Sequence, residues 1–159
     1  MEYIRLDLSL GGGSGGAGVS NDGVTRRQAA ADVIKALVGT GGGEGEKITT
    51  GVVGNWITKG LEEYKSDKDG EGSKAKDSAI YLLTALATRG GTSQHGVTST
   101  NALVNVVEFF SNNVFEDLQA EKTVHPILQV DAIRFLYTFR NQVGPRFLRC
   151  SSFITERYG

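Results

Sequence analysis

The first residues with a pattern suited to chemistry are the glycines of residues 41–48, a run that includes a lysine. A phosphate-binding loop presents successive glycine N–H groups to the phosphate and closes with Gly-Lys-Ser/Thr. Here Glu46 separates Gly45 from Lys47, and Ile48 stands where a hydroxyl is required. The carboxylates of this run would also repel an anion. We therefore predict a disordered loop between helices at residues 41–48.

A second pattern is the acidic run Asp67-x-Asp69-x-Glu71-Gly72 between two predicted helices. In an EF-hand loop, oxygens at alternate positions surround calcium, and a bidentate glutamate at the twelfth position completes the shell. The twelfth position here is Ser78. Because half a shell binds calcium weakly, the sequence favours a solvated acidic loop, and we predict no metal site.

The cysteine and histidine content gives little support for catalysis. The chain has one cysteine, Cys150, and two histidines, His95 and His125, which fall in a predicted loop or at a helix edge. A nucleophilic thiol needs a base within hydrogen-bond reach, and no Ser/His/Asp set or carboxylate couple stands out. We predict that the chain is not an enzyme and binds no cofactor.

Composition narrows the classes of partner. Among 159 residues, 17 Lys and Arg are balanced by 18 Asp and Glu, which gives a net charge of -1. The composition therefore does not indicate a basic surface that would bind the phosphate backbone of nucleic acid. No apolar run approaches the roughly 20 residues that a membrane-spanning helix needs. We therefore predict a soluble, intracellular chain without nucleic-acid binding or membrane insertion.

Helical signals organise the chain from residue 25 onward. Residues 1–24 include a glycine tract at 11–18 and are predicted to be a flexible segment that follows a short helix end. Thr25 and Gln28 then have capping-box spacing, which predicts a helix start. The predicted helices run over 25–39, from 49 or 50 to 66, from 73 to 89, from 99 or 100 to 118, from 126, and from 145.

Each of the first five helices carries apolar residues at helical spacing, which predicts one inward face per helix. The predicted inward residues are Ala30, Val33, Ile34 and Leu37 in the first; Val53, Trp56, Ile57, Leu61 and Tyr64 in the second; Ala79, Leu82, Leu83 and Leu86 in the third; Leu103, Val106, Val107, Phe110 and Val114 in the fourth; and Ile133, Leu136 and Phe139 in the fifth.

The helices share an internal repeat. Residues 78–86 align with 131–139 at an offset of 53, so that Ala79 coincides with Ala132, and the frame around Ala30 fits at an offset of 49. A small residue there lets stacked helices approach closely, as in HEAT repeats, although convergence among amphipathic helices would give a similar pattern. We predict an all-α class without strands: an α-solenoid fragment of about three HEAT-type pairs in a right-handed superhelix. The pairs span about 25–65, 73–119 and 126–158.

Several separated blocks, in one order, resemble the importin-α re-exporters, a family of exportins within the importin-β superfamily. The resemblance covers nearly the whole chain. It is carried by Glu2-Tyr3-Ile4-Arg5 with Asp7, Thr25-Arg26-Arg27 with Ala29-Ala30, Lys76-Asp77 with Ala79-Ile80-Tyr81-Leu82, Glu108-Phe109-Phe110, Asp131-Ala132, and Phe139-Arg140-Asn141-Gln142-Val143.

This resemblance implies a central segment of a nuclear export receptor that binds importin-α and Ran-GTP and shuttles between nucleus and cytoplasm. It implies Tyr3, Arg5, Asp7, Arg26 and Arg27 as contacts to a partner protein. The alternative is a HEAT-repeat scaffold or adaptor unrelated to nuclear transport. Departures from the family are the expanded glycine tracts and the sequence after residue 144. Uncapped solenoid ends would also allow self-association.

Overall fold

The computed structural model describes residues 25–39, 43–92, 94–119 and 124–144. The predicted flexible segment over 1–24 and the predicted helix from 145 lie outside these ranges. The elements are α1 (Arg26–Gly39), α2 (Glu44–Ser66), α3 (Glu71–Ala87), β1 (Thr88–Thr92), β2 (Gly96–Thr100), α4 (Val106–Phe109), a π-helical turn (Phe110–Val114), α5 (Phe115–Gln119) and α6 (Pro126–Thr138). Residues 140–144 are also helical.

Helix α1 starts where its cap predicts but packs through a different face. The Gln28 N–H donates to Thr25 Oγ1 over 3.1 Å, as the capping box requires. The buried residues are Ala31, Ile34 and Val38. The predicted inward face over 30, 33, 34 and 37 is wrong, since Val33 and Leu37 are 58% and 50% exposed. The helix is apolar on several sides, so periodicity alone could not choose between overlapping stripes.

Helix α2 begins at Glu44, five or six residues before the predicted start at Thr49 or Thr50, so residues 44–48 are helical and not a loop. Carboxylates at 44 and 46 favour the positive end of the helix dipole. Glu46 is buried and forms an ion pair with Arg89, 43 residues along the chain. That distant partner fixes the first turn despite Gly45, and a local sequence pattern could not reveal it.

Helices α2 and α3 approach closely where small residues meet. A side chain at Gly60 would come within 2.8 Å of the Ala75 carbonyl oxygen and 3.4 Å of the Ala79 Cβ atom. Gly60 therefore lowers the intrinsic helix propensity of α2 but permits α2 and α3 to pack closely. Ile57 is buried beside this contact, whereas Trp56, predicted to point inward, is 62% exposed.

A short antiparallel hairpin follows α3, so the prediction that the chain has no strands is wrong. Strand β1 pairs with β2 between Thr88 and Thr100 and between Thr92 and Gly96. Gly96 has φ +74°, a left-handed conformation that favours glycine. The sequence Arg-Gly-Gly is typical of a helix C-terminus, so it predicted a helix end here. The β-branched residues on either side of it favour strands.

The next helical segment starts later than predicted because the hairpin occupies residues 96–100. The Glu108 N–H donates to Asn105 Oδ1 over 3.1 Å and caps α4, which continues through the π-helical turn into α5. Val106, Phe110 and Val114 are buried as predicted. Leu103 precedes the helix and is 52% exposed, so its predicted inward position is wrong.

Helix α3 lies at the centre of the helical packing. It contacts α1, α2 and α6, while α5 packs against α6. The repeat-related residues Ala79 and Ala132 are both buried, at 1% and 0% exposure. The repeat is imperfect. Ala30, the third small residue of the predicted frame, is exposed on α1, so its predicted role in close helix approach is wrong. Ile80 is buried, whereas its counterpart Ile133, predicted to face inward, is 61% exposed. Four aromatic rings fill the core where α6 meets the 106–119 segment: Phe109, Phe110, Phe135 and Phe139.

Candidate protein-binding surface

A two-pronged ion pair joins the start of α1 to α3. Arg27 donates hydrogen bonds of 2.9 and 2.8 Å to the two carboxylate oxygens of Asp77, and a third, of 3.2 Å, to the Asp77 carbonyl. The side chains are 22% and 9% exposed. The planar guanidinium matches the carboxylate fork, so this pair fixes the orientation of α1 on α3 as well as their separation.

The same arginine contributes to a polar surface across α1, α3 and α6. Its guanidinium lies 4.0 Å from the ring centroid of Tyr81, whose hydroxyl donates to Gln28 Oε1 over 3.3 Å. Burial raises the pKa of Tyr81, while the nearby cations Arg27 and Arg134 oppose that rise. Two cations around an amphipathic ring can meet a carboxylate and an apolar side chain of another protein.

Asp131 of α6 lies beneath this surface, against Asp77. Only 7% of Asp131 is exposed, and its Oδ2 atom has no hydrogen-bond partner in the part of the chain that the structure describes. Burial, followed by the hydrogen bond with Asp77 and the charge of Asp77, raises the pKa of Asp131 to about 8. Arg27 and Arg134 oppose this rise. The cluster therefore holds a proton near neutral pH and links three helices.

This raised pKa predicts that stability falls as pH rises. The folded chain retains a proton on Asp131 that the unfolded chain releases near pH 3.8, so stabilisation present at low pH is lost up to about pH 8. We expect Asp131→Asn, which mimics the protonated acid, to flatten this dependence and to raise the unfolding free energy at pH 8 by about 1 to 3 kcal/mol.

Urea denaturation of both proteins between pH 5 and 8 measures the effect. Asp32→Asn, on the exposed side of α1, is the matched control and should keep the pH dependence of the parent. An Asp131→Asn variant whose stability falls with pH as steeply as that of the parent would contradict the assignment.

The structure describes two of the five residues that were predicted to contact a partner protein. Arg26 is exposed at the start of α1, and Arg27 is partly buried in the ion pair. Tyr3, Arg5 and Asp7 lie outside the described residues. Sequence reasoning did not propose Tyr81 or Arg134 as site residues, although Tyr81 belongs to a block that carried the family resemblance.

A second resemblance block fastens the hairpin to the helix after α6. Arg140 donates to the Gln94 carbonyl over 2.5 Å. Asn141 donates to the His95 carbonyl over 2.6 Å, and Gln142 donates to the Val97 carbonyl over 2.9 Å. Carbonyls of the turn and of β2 are thereby satisfied by side chains, which explains why a short two-stranded sheet persists beside the helices.

A buried ion pair links α3 to α5. Lys76 donates to Asp117 Oδ1 over 2.9 Å, and the side chains are 5% and 2% exposed. The ammonium also lies 4.3 Å from the ring centroid of Tyr64 on α2. Burial raises the pKa of Asp117, and the hydrogen bond from Lys76 opposes that rise. These contacts fix three helices together.

The acidic run at 67–72 forms part of the connection between α2 and α3. The Asp69 N–H donates to Asp67 Oδ1 over 3.1 Å, and Glu71 belongs to α3, where it pairs with Lys74. Within the described ranges, no three His, Cys, Asp or Glu residues gather in a way that could hold a metal ion. Over the same ranges, no helix combines the length and apolar character needed to cross a bilayer.

The sequence match to a family model decides the relationship. The model described as Cse1 matches residues 1–153. The chain belongs to the Cse1 family. This Cse1-family chain is 39% identical over 143 residues to the importin alpha re-exporter of Saccharomyces cerevisiae, which covers 90% of the chain. It is 37% identical over 151 residues to Exportin-2 of Homo sapiens, which covers 94% of it. The predicted resemblance is confirmed.

A solved structure supports the fold. The structure titled "The exportin Cse1 in its cargo-free, cytoplasmic state" matches 77% of this chain with a TM-score of 0.67 and 41% sequence identity. The predicted α-solenoid fragment is therefore confirmed, as a mostly helical chain with one short hairpin and not as the all-α chain expected. Its superhelical hand and pair boundaries stay predictions. The Cse1-family chain spans 13% of that structure, 13% of the yeast relative and 14% of the human relative.

Proposed function

We propose that this chain is a segment of a nuclear export receptor that binds importin-α and Ran-GTP and returns importin-α to the cytoplasm. The observation that carries the proposal is the family match over residues 1–153, together with relatives named importin alpha re-exporter and Exportin-2. Such a receptor works in both nucleus and cytoplasm. It binds by shape and distributed polar contacts, and its partner supplies the nucleotide switch, so the chain needs no catalytic group.

The surface across α1, α3 and α6 is the proposed contact region in the described part of the chain. Arg27 is held there by its ion pair with Asp77 and lies over the Tyr81 ring, and the charge of Arg134 acts on the pKa of Tyr81. Arg26 is exposed beside Arg27 at the start of α1. Rigid cations beside an aromatic ring favour acidic partner surfaces, because little side-chain entropy remains to be lost on binding. Tyr3, Arg5 and Asp7 stay proposed contacts from the family resemblance.

A chimaera tests the proposal. We would insert the chain in place of its matching segment in the yeast importin alpha re-exporter, the segment that makes up 13% of that protein. The chimaera is expected to capture importin-α with Ran loaded with a GTP analogue and to release it with Ran-GDP. Arg26→Glu should weaken capture by about tenfold, a coupling typical of one interfacial charge. Lys35→Glu, an equal charge change elsewhere on exposed α1, should have little effect.

Two results would count against this function. Capture of importin-α without nucleotide dependence would favour a scaffold or adaptor. A well-folded chimaera that captures neither partner would reject the export role of the segment.

A further inference from the structure

A buried carboxyl lies where α1, α3 and α6 meet. Asp131 of α6 is 7% exposed, and the charged groups that act on it come from all three helices. They are Asp77 of α3, Arg27 of α1 and Arg134 of α6 itself. A single side chain at this junction is therefore placed to respond to, and to influence, both arginines of the proposed contact region.

The other elements that pack on α6 add little charge to this junction. The π-helical turn and β2 contain no ionisable residue. Helix α5 carries two carboxylates, of which Glu116 is exposed and Asp117 is paired with Lys76. Within the described residues, the protonation of Asp131 is therefore governed by its burial and by the three charges named above.

The hydrogen bonds of Asp77 assign the proton of this junction to Asp131. Both Asp77 carboxylate oxygens accept from Arg27, over 2.9 and 2.8 Å, as those of an ionised carboxylate do. The Asp77 carboxylate is also hydrogen-bonded to Asp131, and a hydrogen bond between two carboxyls requires a proton on one of them. Burial and then Asp77 raise the pKa of Asp131 to about 8, so Asp131 is the donor at neutral pH.

That proton decides the charge of the surface above it. The two arginines and Asp77 leave one net positive charge while Asp131 is protonated, and none once it is ionised. The Arg27 side chain is 22% exposed, and its guanidinium lies 4.0 Å from the Tyr81 ring centroid. An ionised Asp131 would also compete with Asp77 for this guanidinium, because both carboxylates attract the same cation. An acidic partner therefore meets a weaker positive charge above the pKa of Asp131 than below it.

We propose that Asp131 is a positioning residue for partner binding. Acting through Asp77, its protonated carboxyl holds Arg27 over Tyr81 and preserves the positive charge that this surface presents to an acidic partner. Ionisation of Asp131 removes both effects. Asp131 is too buried to form an extensive contact with the partner itself. This inference rests on the proposed function, because it assigns a means of regulation to the same surface across α1, α3 and α6.

Nuclear magnetic resonance of the 159-residue chain tests the positioning role without a partner. In a ¹³C-labelled sample, the Arg27 Cζ signal, identified by its loss in Arg27→Lys, should shift between pH 6 and 9 with a midpoint near the pKa of Asp131, about 8. The Cζ signal of Arg26, its exposed neighbour, is the internal reference and should stay constant. Asp131→Asn keeps the size of the side chain and removes its titration, so the Arg27 signal of that variant should not shift.

The chimaera with the yeast importin alpha re-exporter tests the effect on binding. From pH 7 to 9, its dissociation constant for importin-α with Ran loaded with a GTP analogue should rise about threefold more than that of the Asp131→Asn chimaera, because one screened charge is lost. Asp32→Asn, which removes an exposed carboxylate on α1, is the control, and its pH profile should follow that of the parent. Circular dichroism at pH 9 verifies that each chimaera remains folded.

Two results would overturn the inference. One is an Arg27 signal that does not titrate, or that titrates equally in Asp131→Asn. The other is capture with the same pH profile in the parent and Asp131→Asn chimaeras, which would leave the export role intact. A folded chimaera that captures neither partner rejects the export role, and the Arg27 signal then decides the positioning role by itself. The two proposals therefore fail separately.

Discussion

The Gly72→Ala variant is expected to lose about 3 kcal/mol or more of unfolding free energy, at or beyond the upper range for overpacking. Gly72 is the second residue of α3, where the chain turns back from α2. A Cβ atom there would overlap the Asp67 carbonyl oxygen and lie 3.2 Å from the Glu63 carbonyl oxygen. Both neighbours are backbone atoms, so no side-chain rotation can relieve the clash.

The turn around Gly72 is also held by hydrogen bonds that oppose any shift. The Asp67 N–H donates to the Glu63 carbonyl over 3.0 Å, and Ser73 Oγ donates to the Lys68 carbonyl over 2.8 Å. Moving the turn would break these bonds or open the packing between α2 and α3.

Urea denaturation of Gly72→Ala checks this expectation against a variant with the same chemical change. Gly54→Ala lies in open space within α2 and should gain up to about 1 kcal/mol from helix propensity. If both variants gained stability, the close approach of α3 to the end of α2 would be refuted.

The second large effect is expected from Lys76→Met, which should cost about 3 to 5 kcal/mol of unfolding free energy. The substitution preserves the apolar stem but leaves Asp117 buried without its cation. It also removes the cation–π contact with Tyr64. Because burial already raises the pKa of Asp117, the carboxyl of the variant should take up a proton at higher pH than that of the parent.

A double-mutant cycle measures the interaction free energy between Lys76 and Asp117 separately from their contacts with other residues. Lys76→Met with Asp117→Leu should recover most of the loss, since a buried ion pair replaced by apolar groups of similar volume is often neutral or stabilising. Thermal and urea unfolding of the parent, both single variants and the double variant supply the coupling energy. Additive costs in the double variant would show that the two side chains do not interact.

Local signals predicted the elements where one interaction dominates. Thr25 caps α1, and Pro126 occupies the first position of α6. The helical spacing of Ala79, Leu83 and Leu86 marks the buried face of α3. His125 accepts a hydrogen bond from the Ile127 N–H and lies at a helix edge, as predicted. Each of these features depends on contacts within one or two helical turns, so residues that are close in the sequence are sufficient to predict it.

Predictions failed where a distant partner decided the structure. The first turn of α2 depends on Arg89, and the packed face of α1 depends on Asp77, 50 residues beyond Arg27. The hairpin depends on side chains at 140–142 that reach back to residues 94–97. Periodicity cannot show such pairs, because it records which residues share a face and not what that face meets.

The sequence by itself determined the family, through separated blocks that resemble its members. It also determined the predominance of helices and the burial of Ala79 and Ala132, because these follow from local periodicity. Only the tertiary structure decided which α1 stripe is buried, that Arg27 is partly enclosed, and that Glu46 at the start of α2 pairs with Arg89. The physical reason is that burial and pairing free energies depend on groups brought together from positions 40 or more residues apart.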